Sequence, residues 1–220
     1  MSNVIISIEG NIGSGKSTLL NNLKKELCNG IENREVIFIQ EPVDSWGSIK
    51  DSNGITMLQK FYENQEKYAF SFQMMAFISR LAILRETMMH NPTAIIITER
   101  SLFTDKLVFA KMLFETGKIE DVNYQIYLKW FDSFATECPV HKIIYVKANP
   151  DVCHYRIAKR LRTGEECIPI QYLRDCDLYH ENMLIEMKCP HELVLDGNVD
   201  IHQHAEQLDV WIDQIRKFIL

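Results

Sequence analysis

The stretch Gly10-Asn11-Ile12-Gly13-Ser14-Gly15-Lys16-Ser17 follows the apolar run Val4–Glu9 and opens a stretch with helical spacing, Lys16–Cys28. It fits the pattern G-x-x-x-x-G-K-[ST], which requires a strand before it and a helix after it. The glycines allow a tight loop whose N–H groups point inward, and the helix N-terminus adds partial positive charge. The sequence therefore predicts a loop that wraps the phosphates of a nucleoside triphosphate.

Two side chains of this loop carry its chemistry. Lys16 is expected to reach the β- and γ-phosphates as a point charge, and the Ser17 hydroxyl is placed to ligate Mg²⁺. The loop residues predicted to bind ATP are Gly10, Asn11, Ile12, Gly13, Ser14, Gly15, Lys16, Ser17 and Thr18. GTPases, ATPase motors and small-molecule kinases share such loops, so the loop alone does not define the reaction. The sequence has no Asn-Lys-x-Asp segment to read guanine, which argues against a GTPase.

Short apolar runs alternate with longer stretches of helical spacing along the chain. The runs are Val4–Glu9, Val36–Gln40, Ala94–Thr98, Lys142–Val146 and His191–Leu195. The helical stretches are Lys16–Cys28, Met57–His90 with a break near Asn64–Gln65, Leu102–Glu115, Val122–Glu137, Pro150–Leu161, Ile170–Lys188 and His204–Leu220. The stretches Asp44–Gly54 and Asp196–Asp200 are expected to be loops.

The apolar runs do not alternate strictly with polar residues, which is typical of parallel strands that are covered on both faces. We predict an α/β protein with the P-loop NTPase fold, in which a five-stranded parallel sheet carries helices on both faces. Residues 1–220 are expected to form a single domain. Ligands of such sheets bind beyond the carboxyl ends of the strands, so the functional residues should follow the strands directly.

Composition limits the classes of partner. The net charge of -6 argues against general nucleic-acid binding, which needs a basic face. The six cysteines include no C-x-x-C pair, so reduced thiols are expected, with disulfides or a metal as the alternative. No secretory or transit leader is visible, and no apolar run approaches the ~20 residues that span a bilayer. A cytoplasmic protein is expected, with the nucleus as the alternative and no membrane partner.

Two carboxylates directly follow predicted strands. Glu41 lies in Glu41-Pro42-Val43, where the proline holds the preceding residue away from helical geometry. Glu99 lies in Glu99-Arg100-Ser101 after the next strand. A kinase that acts on an alcohol needs a carboxylate to accept the hydroxyl proton and an acid or hydroxyl near the metal. Either residue alone could be a solvated charge at a strand end, but together they indicate a catalytic site.

A basic segment forms the densest positive cluster of this acidic chain. It contains Arg156, Lys159, Arg160 and Arg162, of which Arg156 and Arg160 share one helical face. Arginines that close over the transferred phosphoryl group stabilise its charge, and the flexible, acidic residues that follow are typical of a lid. We predict an arginine-rich lid over about residues 156–168. The alternative is a solvated helix face.

These features resemble the deoxyribonucleoside kinase family, of the deoxycytidine kinase and deoxyguanosine kinase type. The resemblance runs in one order over nearly the whole chain. It comprises Glu9–Thr18, Glu41-Pro42-Val43, Trp46, Leu58 to Tyr62, Phe70-Ser71-Phe72-Gln73, Ser79-Arg80, Glu99-Arg100-Ser101, Asp105, Phe109, Ala110, the arginine segment, Ile168-Pro169 and Tyr172-Leu173.

The resemblance implies ATP-dependent phosphorylation of the 5′-hydroxyl of a deoxynucleoside, with Mg²⁺, in nucleotide salvage. It implies that Glu41 is the general base, that Arg100 positions Glu41 and the phosphates, and that Ser17 and Glu99 serve Mg²⁺. Gln73 would read the base edge, in agreement with the bidentate hydrogen bonding of an amide. The remaining implied residues are Val43, Trp46, Leu58, Tyr62, Phe72, Ala76, Arg80, Asp105, Phe109 and Glu165 for the nucleoside, and Arg156, Arg160, Arg162 and Asp200 for ATP.

Within this set, Phe72 and Phe109 would sandwich the base, and Tyr62 and Glu165 would hold the 3′-hydroxyl. An Arg80–Asp105 pair resembles members that accept cytosine or purines and leaves no room for the thymine methyl group. The alternative for this pair is a structural ion pair without selectivity. A homodimer is implied as well, through the helices Tyr62–His90 and Leu102–Glu115.

The sequence departs from the family pattern at several positions. Gly164 replaces a common acidic residue, so that either Glu165 or Glu166 could meet the sugar. Ile201 stands where an aromatic residue often faces the donor base, which leaves ATP or UTP open as donor. The other departures are Phe61, Met75 and Leu161. The competing functions are a nucleoside monophosphate kinase of the thymidylate kinase type and a non-catalytic nucleotide-binding subunit.

Overall fold

A computed structural model describes residues 2–160, 162, 165, 168–201 and 203–220 of the chain. Its centre is a sheet of five parallel strands in the order β2-β3-β1-β4-β5. The strands are β1 Val4–Glu9, β2 Val36–Ile39, β3 Ile95–Glu99, β4 Lys142–Lys147 and β5 Glu192–Asp196. The predicted α/β architecture with a five-stranded parallel sheet is confirmed.

The helices follow the strands and largely match the predicted stretches. They are α1 Lys16–Glu26, α2 Val43–Gly47, α3 Met57–Glu63, α4 Gln65–His90, α5 Leu102–Thr104, α6 Lys111–Glu115, α7 Asp121–Phe134, α8 Pro150–Arg160, α9 Ile170–Met187 and α10 Ala205–Ile219. A π-helical turn, Asp105–Ala110, joins α5 to α6, and a 3₁₀ turn, Ala135–Glu137, follows α7.

The predicted break of the long helix lies at Asn64. This residue has φ -150° and ψ 85°, and its side chain accepts a hydrogen bond from the backbone N–H of Lys67. Asn64 therefore ends α3 and caps α4, because its short amide satisfies a donor that the start of the second helix leaves free. The segment that the sequence predicts as one long stretch with a break therefore forms two separate helices.

The sheet buries both faces, which explains why its strands are apolar throughout. Ile6 and Ile8 of β1 pack with α1 and α10 on one face, while Ile5 packs with α4 and α7 on the other. Complete burial of such a side chain stabilises the fold by roughly 1.5–3 kcal/mol. The rigid sheet therefore fixes the positions of the residues at its carboxyl edge, including Glu9 and Glu99.

Two segments differ from the sequence prediction. The stretch predicted as the loop Asp44–Gly54 begins inside α2, because the indole of Trp46 is buried and its Nε1 donates to Ser79 Oγ at 2.8 Å. The stretch predicted as the regular helix Leu102–Glu115 contains the π-helical turn, which carries the buried Asp105. Such turns are frequent at functional sites, and this one brings Asp105 to Arg80.

The described residues also show the state of the cysteines and the apolar character of the helices. Cys28, Cys138, Cys153, Cys176 and Cys189 carry free thiols, and Cys167 lies outside the described residues. Within the described ranges, no helix is both long enough and apolar enough to cross a membrane.

Candidate active site

A cavity of about 620 Å³ opens at the carboxyl edge of the sheet, where the fold predicts ligand binding. It extends from the phosphate loop to the α3–α4 region on one side and to the segment after β5 on the other. All the predicted site residues line this cavity except Gly10, Asn11 and Arg80. The structure thus brings together predicted residues that lie up to 188 positions apart, from Ile12 to Asp200.

The phosphate loop has the backbone geometry that its glycines permit. Gly10 has φ 138°, and a Cβ atom there would lie 2.4 Å from the carbonyl oxygen of Val146. Asn11 does not line the cavity; its side chain donates to the carbonyl of Leu173 at 2.8 Å and ties the loop to α9. Gly10 and Asn11 therefore shape the loop without forming the cavity wall.

Lys16 lies at the bottom of the loop and is only 4% exposed. Its Nζ donates to the carbonyl of Asn11 at 2.7 Å. Burial, together with the nearby Arg100, lowers the pKa of Lys16 to about 7. A bound polyphosphate would favour the charged form of this lysine, so the position of Lys16 suits the binding of an anion.

Ser17 and Glu99 meet beside the loop. The Ser17 hydroxyl donates to Glu99 Oε1 at 2.6 Å, and both residues line the cavity. A hydroxyl and a carboxylate are oxygen ligands that suit Mg²⁺, which takes its other ligands from phosphate and water. Over the described part of the chain, no cluster of three or more His, Cys, Asp or Glu side chains could hold a metal by itself. The pair thus fits a Mg²⁺ ion that arrives with the nucleotide.

Glu41 stands between two arginines at the centre of the cavity. Its Oε1 accepts from Arg80 Nη2 at 3.0 Å and lies 3.4 Å from Arg100 Nε. Burial disfavours the charge, but Arg100, Arg80 and Lys16 outweigh it and hold the pKa of Glu41 at about 2. Glu41 is therefore a carboxylate throughout the neutral pH range.

Arg80 connects this carboxylate to the far end of the cavity. It lies behind the cavity wall, with Nε bonded to Asp105 Oδ2 at 2.9 Å and Nη1 bonded to the carbonyl of Glu99 at 2.9 Å. Asp105 itself lines the cavity. Burial raises the pKa of Asp105, and the adjacent Arg80 opposes that shift. The predicted Arg80–Asp105 pair exists, and only its acidic member forms part of the wall.

The far end of the cavity is an aromatic slot with one amide in its wall. Phe72 stacks on Phe61 with ring centroids 4.5 Å apart, and the Trp46 ring meets Phe72 edge-on at 5.7 Å. Gln73 is 2% exposed, and its Oε1 is buried with no hydrogen-bond partner among the residues that the structure describes. A buried acceptor without a partner is costly, so a donor that reached this oxygen would form a favourable hydrogen bond.

The segment after α8 holds Glu165 against two arginines. Glu165 is 6% exposed and pairs with Arg160 and, at 3.2 Å, with Arg162. Tyr62 lies across the cavity, edge-on to the ring of Tyr172 at 6.3 Å, and burial raises its pKa. Glu166, the alternative to Glu165, lies outside the described residues, and so do the departures Leu161 and Gly164.

Arg156 lies at the opposite end of the cavity, beside the loop after β5. Its Nη1 donates to the carbonyl of Gly197 at 2.7 Å and its Nη2 to the carbonyl of Val199 at 3.2 Å. These bonds fix the guanidinium over the segment that contains Asp200 and Ile201, both of which line the cavity. Arg156 is therefore anchored to the backbone, whereas Arg160 and Arg162 are bonded only to Glu165 among the contacts described.

Several residues of the site were not predicted. Tyr155, Tyr172 and Trp211 line the cavity, and Trp211 comes from α10, the last helix. His180 lies behind the wall and contacts Arg100. Phe61, noted in the sequence as a departure from the family, supports Phe72 in the aromatic slot. Tyr172 belongs to the segment Tyr172-Leu173 that carried the resemblance, whereas no local pattern marks Trp211 or His180.

Comparison with known proteins agrees with this geometry. A family model described as deoxynucleoside kinase matches residues 6–220. Human deoxycytidine kinase is 32% identical over 243 residues, which cover 97% of this chain and 90% of the human protein. Deoxycytidine kinase 2 of Gallus gallus is 33% identical, with 97% and 89% covered. Deoxycytidine kinase 1 of Xenopus laevis is 29% identical, with 97% and 89% covered. The chain therefore belongs to the deoxynucleoside kinase family and is an ATP-dependent kinase.

Proposed function

We propose that this kinase transfers the γ-phosphate of ATP to the 5′-hydroxyl of a deoxynucleoside and favours deoxycytidine, deoxyadenosine or deoxyguanosine over thymidine. Its product would supply DNA precursors by salvage. The observation that carries the proposal is Gln73, which lines the aromatic slot and whose buried Oε1 has no hydrogen-bond partner among the described residues. A nucleobase offers a flat ring for the aromatic faces and a donor for this oxygen.

The base preference rests on the charged pair next to the slot. Asp105 is held by Arg80 and lines the cavity, so it presents a carboxylate oxygen to the base. A carboxylate accepts hydrogen bonds from the exocyclic amino groups of cytosine and adenine. In thymine a carbonyl oxygen replaces the 4-amino group of cytosine, so thymine offers no donor there and would leave a buried charge without that hydrogen bond. Cytosine and purine nucleosides are therefore the proposed acceptors.

The chemistry is assigned to the groups around Glu41. Glu41 would accept the proton of the 5′-hydroxyl, since it is ionised at neutral pH and lies between the slot and the phosphate loop. Arg100 and Lys16 would stabilise the charge on the transferred phosphoryl group. Mg²⁺, held by Ser17 and Glu99, would neutralise charge on the phosphates of ATP.

The lid is proposed to act through Glu165. Arg160 and Arg162 are paired with it, and all three line the cavity. Glu165 and Tyr62 would hold the 3′-hydroxyl of the sugar, while the two arginines would meet the phosphates. The residues of the proposed lid, about 156–168, include five that lie outside the described ranges. The whole of 1–220 is proposed to act as one domain, because the cavity takes residues from both halves of the chain.

The role of Gln73 is tested by replacing it with leucine. We expect kcat/KM for the preferred deoxynucleoside to fall roughly 10- to 100-fold, because the base loses its partner inside a dry slot. Steady-state kinetics of Gln73→Leu against wild type measure this change. The matched control is Gln214→Leu, at an exposed position on α10, which should behave as wild type. A value of kcat/KM within twofold of wild type for every nucleoside would remove the assigned role.

A homodimer is proposed through the outer faces of α4 and α7. The apolar residues of Leu102–Glu115 are largely buried within the chain, so this predicted segment has little apolar surface to offer. Ile78 on α4 and Ile126 and Trp130 on α7 are instead 52%, 41% and 49% exposed. The two helices contact each other through Phe77 and Phe131, so these exposed side chains lie on neighbouring helices, and we propose that they form an apolar patch of the kind that marks interfaces.

The patch is tested by placing a charge in it. We expect Trp130→Asp to change a dimer into a monomer in sedimentation velocity runs, since a carboxylate would be buried without a partner. Ile185→Asp on α9 is the control, because Ile185 is 74% exposed and lies outside the patch. Equal sedimentation of both variants and wild type would contradict the proposed interface.

A further inference from the structure

Arg100 is held from behind by a histidine that does not line the cavity. His180 of α9 is fully buried, and its Nε2 lies 3.1 Å from Arg100 Nη1. The same Nη1 donates to the carbonyl of Gly10 at 2.9 Å. A terminal guanidinium nitrogen carries two hydrogens, so these two acceptors use both of them. The Nε side of the guanidinium faces Glu41, whose Oε1 lies 3.4 Å from Nε.

The backbone of Arg100 also needs such support. Its φ of 65° lies in the left-handed region, which non-glycine residues adopt at a cost when their surroundings hold them there. The guanidinium lies 5.0 Å from the centroid of the Phe109 ring, which packs against one side of it. The Arg100 side chain is thus held by the Phe109 ring and by two hydrogen-bond acceptors.

The contacts of His180 define its tautomer. Because an arginine N–H can only donate, Nε2 must be the acceptor, and the ring proton must lie on Nδ1. Nδ1 then donates to the carbonyl of Cys176, one turn earlier in α9, at 2.6 Å. Phe109 meets the imidazole edge-on at 6.1 Å, and Tyr145 stacks against it at 6.5 Å. Burial and the charge of Arg100 lower the pKa of His180 far below its usual range, in keeping with a neutral ring.

We propose that His180 is a positioning residue for catalysis, which as a neutral acceptor fixes the guanidinium of Arg100 toward Glu41 and the transferred phosphate. This proposal rests on the function proposed above for Arg100. Without the imidazole, Nη1 loses one of its two acceptors, and the guanidinium is free to turn toward the phosphate loop or the solvent of the cavity. The misplacement of a catalytic charge by about 1 Å is enough to slow a phosphoryl transfer by roughly 100-fold.

Two variants separate positioning from folding. His180→Leu removes the acceptor, whereas His180→Gln keeps an amide oxygen near the place of Nε2. We expect His180→Leu to lower kcat roughly 10- to 100-fold with the KM values for ATP and nucleoside within about threefold of wild type. His180→Gln should recover most of the lost kcat. Equal kcat for the two variants, with the same near-UV circular dichroism as wild type, would overturn the proposal.

A spectroscopic measurement tests the proposed hydrogen bond between His180 and Arg100 without an activity assay. Long-range ¹H–¹⁵N correlation spectra of the wild-type protein report which ring nitrogen of each histidine carries the proton, and the signal missing in His180→Gln belongs to His180. We expect the proton on Nδ1 at pH 7, and a proton on Nε2 would overturn the proposal. If the tautomer is as expected but wild type phosphorylates no deoxynucleoside, the proposed function fails while the hydrogen-bonded support of Arg100 stands.

Discussion

Replacing Glu41 with glutamine is expected to lower kcat by about 100- to 10,000-fold, the range that a general base contributes. Glutamine has nearly the same shape but cannot take the proton of the 5′-hydroxyl. Because Arg100 and Arg80 hold the pKa of Glu41 at about 2, wild type keeps this base ionised at both pH 6 and pH 8. The fold loss in Glu41→Gln should therefore be the same at these two pH values.

Single-turnover assays with Mg·ATP and deoxycytidine measure this loss directly, because they isolate the chemical step. Glu86→Gln, at an exposed position of α4, is the control for the same chemical change outside the cavity. A rate for Glu41→Gln within tenfold of wild type would show that proton acceptance by this residue is not needed. A loss that is much larger at pH 8 than at pH 6 would show that the base ionises in this range and not near pH 2.

Replacing Lys16 with methionine is expected to lower kcat/KM for ATP by about 100- to 1,000-fold while leaving the protein at least as stable as wild type. The activity falls because a charge aimed at the phosphates is lost. The stability does not fall because Lys16 is buried with one backbone carbonyl as its hydrogen-bond partner, and its charge is costly in the unliganded loop. Methionine fills a similar volume without that charge.

The pH dependence of stability follows from the lowered pKa of Lys16, about 7 in the folded protein against 10.5 as its ordinary value. Between these values the unfolded chain binds the proton and the folded chain does not, so wild type gains stability as pH rises through this window. The advantage of Lys16→Met should thus be largest at pH 7 and below. Thermal unfolding at pH 7 and pH 9 measures it, with Lys24→Met on the exposed side of α1 as control. A Tm for Lys16→Met more than about 5 °C below wild type at pH 7 would contradict this account.

The parts of the fold that the sequence predicted are those encoded by local pattern. The phosphate loop follows from the spacing of its glycines and Lys16, and the strands follow from runs of β-branched residues. Glu41 and Glu99 could be placed at one sheet edge because the carboxyl ends of parallel strands meet there. Weak helix formers predicted a break near Asn64–Gln65, and the structure shows it at Asn64.

The parts that were not predicted depend on contacts between distant segments. Helix α2 forms because Trp46 inserts next to Ser79, 33 residues away, and no helical period is visible in so short a segment. The π-helical turn is stabilised by Asp105, whose carboxylate accepts a hydrogen bond from Arg80 of α4. Trp211 reaches the cavity only because α10 returns to the sheet beside α1. A periodic pattern carries no information about such contacts.

The placement of Arg80 changes how the site is understood. The resemblance implied a contact with the base, and the structure instead joins Arg80 to Asp105, to Glu41 and to the carbonyl of Glu99. One guanidinium therefore fixes both the carboxylate proposed to read the base and the one proposed to accept the proton. Base recognition and the chemical step share a support, so binding of a matching base and alignment of Glu41 are expected to be coupled.

The central claim is that this cavity phosphorylates cytosine or purine deoxynucleosides, and one assay tests it most directly. Phosphate transfer from Mg·ATP to deoxycytidine, deoxyadenosine, deoxyguanosine and thymidine is measured side by side, with thymidylate as a fifth acceptor. The account predicts that one of the first three has the highest kcat/KM and that thymidine is at least about tenfold poorer, the order of one lost buried hydrogen bond. Thymidine as the best acceptor would contradict the role of Asp105, and transfer to thymidylate alone would contradict the proposed function.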